Sequence, residues 1–167
     1  MQTAVPEISV LFVCIGNICR SPTAEAVFRR AVQDAALDAI ILCDSAGTHD
    51  YHIGDPPDSR SIAAAARRGY DITALRARQI GAADFSRFDY VLAMDRHNLL
   101  FLQKLRPAQS PAKLQLFGDL HADFAGQDVP DPYYGGAAGF ERVLDMAEAL
   151  SASLLDSIRK DGRLNSG

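Results

Sequence analysis

Apolar positions along this chain change period several times, and each change marks an element. From Ile8 to Val13 the run Ile-Ser-Val-Leu-Phe-Val is almost unbroken, which is the pattern of a strand buried on both faces. Shorter runs of the same kind predict strands over 39–44, 89–93 and 112–116. Between them the pattern predicts amphipathic helices over 22–36, 59–68, 96–105 and 138–159. Gly69, after Arg67 and Arg68, reads as a helix stop with basic residues complementing the dipole of the last turn. Alternation of this kind specifies an α/β fold, a parallel sheet in the middle of three layers with helices on both faces. Ligands of such folds bind beyond the carboxyl ends of the strands. The segment after Cys14, residues 45–48, Asp95 and the loop containing Asp131 are therefore expected at one edge of the sheet.

Length and composition narrow the picture. The 167 residues suit a single domain over 1–167 with an ordered core of about 7–160, and residues 1–6 and 161–167 read as mobile ends. Apolar residues make up 48% and the net charge is −4, so the chain resembles a globular protein rather than a nucleic-acid binder, and no basic or aromatic-interleaved stretch contradicts that. No apolar run approaches the ~20 residues of a membrane span, and no signal core follows the N-terminus. Three cysteines, two of them in one short loop, do not form a disulfide framework. The excess of arginine over lysine and the abundance of alanine suggest a GC-rich bacterial source.

The chemistry concentrates in Cys14-Ile15-Gly16-Asn17-Ile18-Cys19-Arg20, set between the first strand and the helix start Ser21-Pro22-Thr23-Ala24-Glu25. A cysteine attacks phosphorus only as its thiolate. Successive loop N–H groups make an anion nest, the following helix offers its positive end, and Arg20 and Ser21 add a charge and a hydroxyl donor. All of these favour the anionic sulfur. Gly16 lets backbone approach a ligand and is expected to supply a positive φ, and Asn17 also tolerates the left-handed region. Arg20 presents a planar fork that matches two phosphoryl oxygens. Pro22 fits the first helical turn, where its missing N–H has no partner to lose. The bland alternative, a buried small thiol and a surface arginine, leaves the strand, the Gly-Asn pair and the Ser-Pro helix entry unexplained.

This signature resembles that of the low-molecular-weight protein tyrosine phosphatases. The likeness continues through Asp44-Ser45-Ala46-Gly47-Thr48, Gly54-Asp55-Pro56-Pro57-Asp58-Ser59-Arg60, Ala77-Arg78-Gln79, Ala93-Met94-Asp95 and Asp131-Pro132-Tyr133-Tyr134-Gly135-Gly136, and so covers nearly the whole chain. It implies a flavodoxin-like strand order 2-1-3-4, of the phosphatase I type. It implies Cys14 as nucleophile, Arg20 as phosphate clamp and Asp131 as general acid and base. Ile15, Gly16, Asn17, Ile18, Cys19 and Ser21 complete the phosphate loop. Tyr51 and Tyr133 are expected as aromatic walls, with Ile15 and Ile18 at the mouth. Asn17 and Ser45 are expected to bond together and hold the loop; Asp95 either orders that network or caps a helix. No metal and no cofactor is called for, because the loop itself supplies the charge stabilisation.

The implied reaction is hydrolysis of phosphotyrosine through a phosphocysteine. Related phosphatases acting on phosphoarginine carry threonine where Ile18 stands, and isoleucine has no donor for a guanidino group. Cys19 has two readings, as a packing residue or as a partner for a reversible disulfide with Cys14 that shields it from over-oxidation. Tyr133 and Tyr134 are candidates for phosphorylation. Leu75 stands where some relatives have histidine. His49 and His52 lack the further ligands of a metal site, and Gly135-Gly136-x-x-Gly139 lacks the context of a dinucleotide fingerprint. An arsenate reductase on the same scaffold needs a resolving cysteine pair near residues 80–95, where there is none. A phosphocarrier has no use for Asp131, and a non-catalytic phosphate binder has no use for the full Cys-Arg-Asp set. Expected partners are phosphotyrosine proteins, with a tyrosine autokinase the reasonable target if the source is bacterial. A monomer in the cytoplasm, where thiols stay reduced, is the default.

Overall fold

The structure, a computed structural model, describes residues 8–161. The expectation of mobile ends falls outside those residues except at Asp161, whose carboxylate accepts a hydrogen bond from Tyr90 Oη at 2.7 Å. The strands are β1 (Ile8–Cys14), β2 (Ile41–Gly47), β3 (Tyr90–Ala93) and β4 (Lys113–Leu116). The helices are α1 (Arg20–Asp34), α2 (Ser59–Arg67), α3 (Asp84–Arg87), α4 (Arg96–Leu105) and α5 (Ala137–Lys160). Short 3₁₀ turns cover Phe117–Leu120 and Ala122–Phe124. The strands form one parallel sheet in the order β2-β1-β3-β4, as expected.

The unbroken apolar run of β1 resolves into two faces. Ile8, Val10, Phe12 and Cys14 point into a core built with Phe28 and Val32 of α1 and Val143, Met146 and Leu150 of α5. Leu11 and Val13 point the other way, toward Phe85, Val91 and Leu102. Phe12 anchors the first core, its ring meeting Phe28 and Phe117 edge-on at 5.7 and 5.3 Å. Burying one such ring is worth about 2–3 kcal/mol, which anchors the strand that carries Cys14. α2 takes no sheet face; Ala64 joins Phe140, Leu144 and Ala147 of α5 and Ile18 of the loop in a third cluster.

Element boundaries differ from the pattern where polar contacts overrule it. α1 begins at Arg20, two residues early, so that Pro22 sits third in the helix where its N–H would still lack a partner. The chain leaves α1 through Ala36 in the left-handed region (φ 59°), and Ile41 N–H bonds Leu37 O at 2.9 Å before β2 starts. β2 then runs on to Gly47, beyond the apolar run, because Ser45, Ala46 and Gly47 still pair with Phe12, Val13 and Cys14. α3 and the 3₁₀ turns are too short to show a period.

Candidate active site

Cys14 ends β1 with 2% of its surface exposed, and residues 15–19 turn the chain back into α1. Neighbouring backbone takes the loop's carbonyls: Thr48 N–H donates to Cys14 O at 2.9 Å, His49 N–H to Ile15 O at 3.1 Å and Asp58 N–H to Ile18 O at 2.8 Å. With the carbonyls turned outward the amides are left for the cavity, and Asn17 N–H donates to Cys14 Sγ at 3.3 Å. Of the two residues able to take the left-handed region, Asn17 does so (φ 59°) and Gly16 does not. A Cβ at Gly16 would stand 3.0 Å from Cδ2 of the half-exposed His52 ring, which would have to shift to admit it. Gly47 is required still more strictly, because a Cβ would lie 2.9 Å from Ile15 O.

Behind the sulfur runs a directed hydrogen-bond chain. Arg78 N–H donates to Asn17 Oδ1 at 3.1 Å, which commits the Asn17 amide nitrogen as a double donor, to Ser21 Oγ at 2.8 Å and to Ser45 Oγ at 2.9 Å. Ser21 thereby accepts from Asn17, and its own proton is free for Cys14 Sγ at 3.0 Å. Ser45 in turn donates to Glu25 Oε1 at 2.6 Å. The sequence reading missed Glu25, which is 2% exposed on the inner side of α1 and paired with Arg29 at 2.5 Å. Its signal was present: a carboxylate in step with buried Ser21, Phe28 and Val32, with an arginine one turn later. Burial raises the Glu25 carboxyl above its ordinary 4.5, against the lowering pull of Ser45 and Arg29. Arg29 closes this end of the chain.

Arg20 is buried at the first turn of α1. Its Nη1 donates to Asp95 Oδ2 at 2.7 Å and to Val129 O at 3.0 Å. Nη2 lies 3.7 Å from Asp131 Oδ2. Burial alone would lower the guanidinium pKa; Cys14, Asp95 and Asp131 more than reverse this and hold it charged. Of the two roles set as alternatives, Asp95 takes the helix cap, and it adds a contact to Arg20 that neither alternative named. Its Oδ1 accepts Asn98 N–H at 2.8 Å in a capping box at the start of α4, while Oδ2 holds Arg20. It orders the arginine, not the Asn17–Ser45 pair. Asp131 remains 41% exposed at its side chain, and Tyr133 N–H donates to its Oδ1 at 3.0 Å.

A cavity of about 250 Å3 opens over the loop, lined by Cys14, Arg20, Asp131, Ile15, Ile18, Tyr51, His52, Tyr133 and Tyr134. Tyr51 and Tyr133, expected as aromatic walls, are among the lining residues, and His52 and Tyr134 are additional. Tyr51 stacks on His49 with centroids 5.0 Å apart, and Tyr134 meets Tyr133 edge-on at 4.9 Å. His52 Nδ1 lies 3.2 Å from Asp55 Oδ2, so the two histidines have separate partners. Among the described residues no group of three or more His, Cys, Asp or Glu is arranged to hold a metal ion.

All three cysteines are free thiols. Burial pushes the Cys19 thiol up to about 12, and Cys43, in β2, likewise to about 12. Within this site the geometry can bind a tetrahedral anion against amides and one guanidinium, with a sulfur below it and a carboxyl group at the opposite side.

The family model described as low molecular weight phosphotyrosine protein phosphatase matches residues 9–164. A Synechocystis protein named as a putative low molecular weight protein-tyrosine-phosphatase is 46% identical over 153 residues, 91% of this chain and 97% of the relative. The crystal structure of a protein tyrosine phosphatase from Entamoeba histolytica with Hepes in its active site superposes with a TM-score of 0.88 at 40% identity, covering 92% of this chain and 98% of that one. A Drosophila structure described as an arginine phosphatase superposes with a TM-score of 0.82 at 33% identity, over 89% and 96% of the two chains.

Proposed function

The chain belongs to the low molecular weight phosphotyrosine protein phosphatase family, and from that premise we propose how its own residues divide the work of hydrolysing phosphotyrosine. The protein is a protein-tyrosine phosphatase; Cys14, Arg20 and Asp131 carry the reaction. Cys14 thiolate attacks phosphorus in line, forming the S–P bond as the P–O bond to the tyrosyl oxygen breaks. Arg20 and the loop amides hold the equatorial oxygens where charge gathers. Asp131, facing that phosphate, gives its proton to the departing phenolate. Water then attacks phosphorus, Asp131 takes the proton back, and inorganic phosphate leaves with the thiolate restored.

The observation that carries this reading is the convergence on one sulfur. Ser21 Oγ at 3.0 Å and Asn17 N–H at 3.3 Å both donate to Cys14, with buried Arg20 fixed on the same cavity. Ile18 lines that cavity with carbon alone and gives a phosphoarginine guanidino group nothing to bond, whereas Tyr51 and Tyr133 flank a flat ring. One domain supplies the whole site. We place the enzyme in the cytoplasm, where Cys14 stays reduced, acting on phosphotyrosine proteins such as a tyrosine autokinase. Among the described residues no helix is long and apolar enough to cross a membrane.

The deciding experiment measures hydrolysis of phosphotyrosine and phosphoarginine side by side in excess EDTA. Rapid release of phosphate from phosphotyrosine, abolished in Cys14→Ser, is expected. Faster turnover of phosphoarginine, or full activity in Cys14→Ser, would overturn the assignment.

A further inference from the structure

Beside the catalytic cavity lies a second depression of about 220 Å3 that the chemistry above does not use. Its floor is the edge of Phe140, its sides are Ala63 of α2 and Ala137 at the start of α5, and Arg60 and Arg67 border it. Two observations decide what could occupy it. The first is charge. Arg60 is bound to Asp58 through Nε and Nη2, each at 3.0 Å, and Arg67 to Glu141 at 3.1 Å. Both guanidinium groups already face carboxylates, and the surface that lines the depression is almost entirely carbon. The second is continuity. The Arg60 guanidinium lies 5.3 Å from the ring centre of Tyr133, a wall of the catalytic cavity, and 4.9 Å from that of Phe140, the floor of the groove. One side chain thus links a wall of the catalytic cavity to a wall of the groove.

We propose that this groove is a substrate subsite, which takes an apolar side chain of the same polypeptide a few residues from the phosphotyrosine. The proposal rests on the phosphotyrosine reading of the cavity beside it. The groove is also rigidly framed, since Arg68 ties α2 to α5 through Glu141 at 2.7 Å and Asp145 at 2.8 Å. Such a preformed wall costs little ordering when a ligand arrives. An apolar residue laid between Ala63 and Ala137 packs on Phe140 beside Arg60, whose guanidinium already lies over the Phe140 and Tyr133 rings. An acidic residue at the same place would have to compete with Asp58 and Glu141 for arginines they hold.

The test uses phosphotyrosine peptides in which each flanking position in turn carries Leu, Ala or Glu, with kcat/KM for each normalised to that for p-nitrophenyl phosphate. At one flanking position the leucine peptide is expected to be preferred over the alanine peptide by roughly three- to tenfold, the return on burying part of such a side chain. Two variants fill the groove: Ala63→Glu, which suits a helix and places a carboxylate between Arg60 and Arg67, and Ala63→Leu, which occupies it with carbon. Both are expected to bring the leucine-to-alanine ratio to about one. A ratio near one in the unaltered protein, a preference for Glu at that position, or a leucine preference that survives both variants would overturn the subsite. Failure of the phosphatase reading would show separately, as loss of p-nitrophenyl phosphate hydrolysis itself.

Discussion

At the scale of single residues, the catalytic set and its support respond to different measurements. Asp131 is exposed enough to exchange protons with solvent, yet sits 3.7 Å from the buried Arg20. Replacing it with asparagine is expected to lower kcat on phosphotyrosine by roughly 10²–10⁴-fold, the scale of a positioned acid–base group. The loss should be smaller for p-nitrophenyl phosphate, whose leaving group needs less help from a proton; equal losses on both substrates would count against the role. Glu25 is legible in a pH series instead. Its folded pKa is raised by burial, so the folded state binds its proton more tightly than the unfolded chain does. The stability it contributes is present below the ordinary value of 4.5 and is lost as pH rises through the higher folded value. Denaturant titrations across that window should show Glu25→Gln gaining on the parent as pH rises. A constant difference would place the carboxyl outside this account.

At the scale of elements, the helix starts do more than begin helices. Asp58 caps α2 by accepting Arg60 N–H at 2.8 Å, and its own N–H bonds the loop carbonyl of Ile18. Asp58→Ala should therefore cost about 1 kcal/mol of stability at neutral pH, the usual cost of a lost cap, while the main-chain bond to Ile18 O stays in place. Hydrogen bonds from Arg60 hold the Asp58 carboxyl below its ordinary 3.8, so the cap is complete above that pH and weakens as pH falls through the lower folded value. Thermal melts of the two proteins at neutral and strongly acidic pH should differ first and converge later. Most elements could be read from the chain because their apolar spacing is their cause, as in β1 and α4. β2 starts two residues later than its apolar run and ends three residues beyond it, because backbone pairing with β1 carries it through Ser45, Ala46 and Gly47, where side-chain hydropathy is silent.

At the scale of the whole molecule, one sheet edge collects Cys14, Ser45, Asp95 and Asp131 from four separate stretches of sequence. That gathering was foreseeable from strand–helix alternation, since parallel strands all end on the same side. What could not be foreseen is tertiary: the partner that Glu25 finds in Ser45, His52 against Gly16, and the groove between α2 and α5. Each depends on how two elements approach, which no local pattern encodes. The same architecture separates the three sulfurs by environment. Cys19 and Cys43, both pushed up to about 12, are expected to be thiolate at only roughly 10⁻⁵ at pH 7. Iodoacetamide should accordingly modify one cysteine of the folded protein, Cys14, and all three only after denaturation, as counted by mass spectrometry. The approach of β2 to the loop has one more effect. With a methyl group in place of the missing side chain at Gly47, 2.9 Å from Ile15 O, the sheet could still assemble while the cradle above it opens. Gly47→Ala should then give a protein with an unaltered circular dichroism spectrum that no longer binds vanadate.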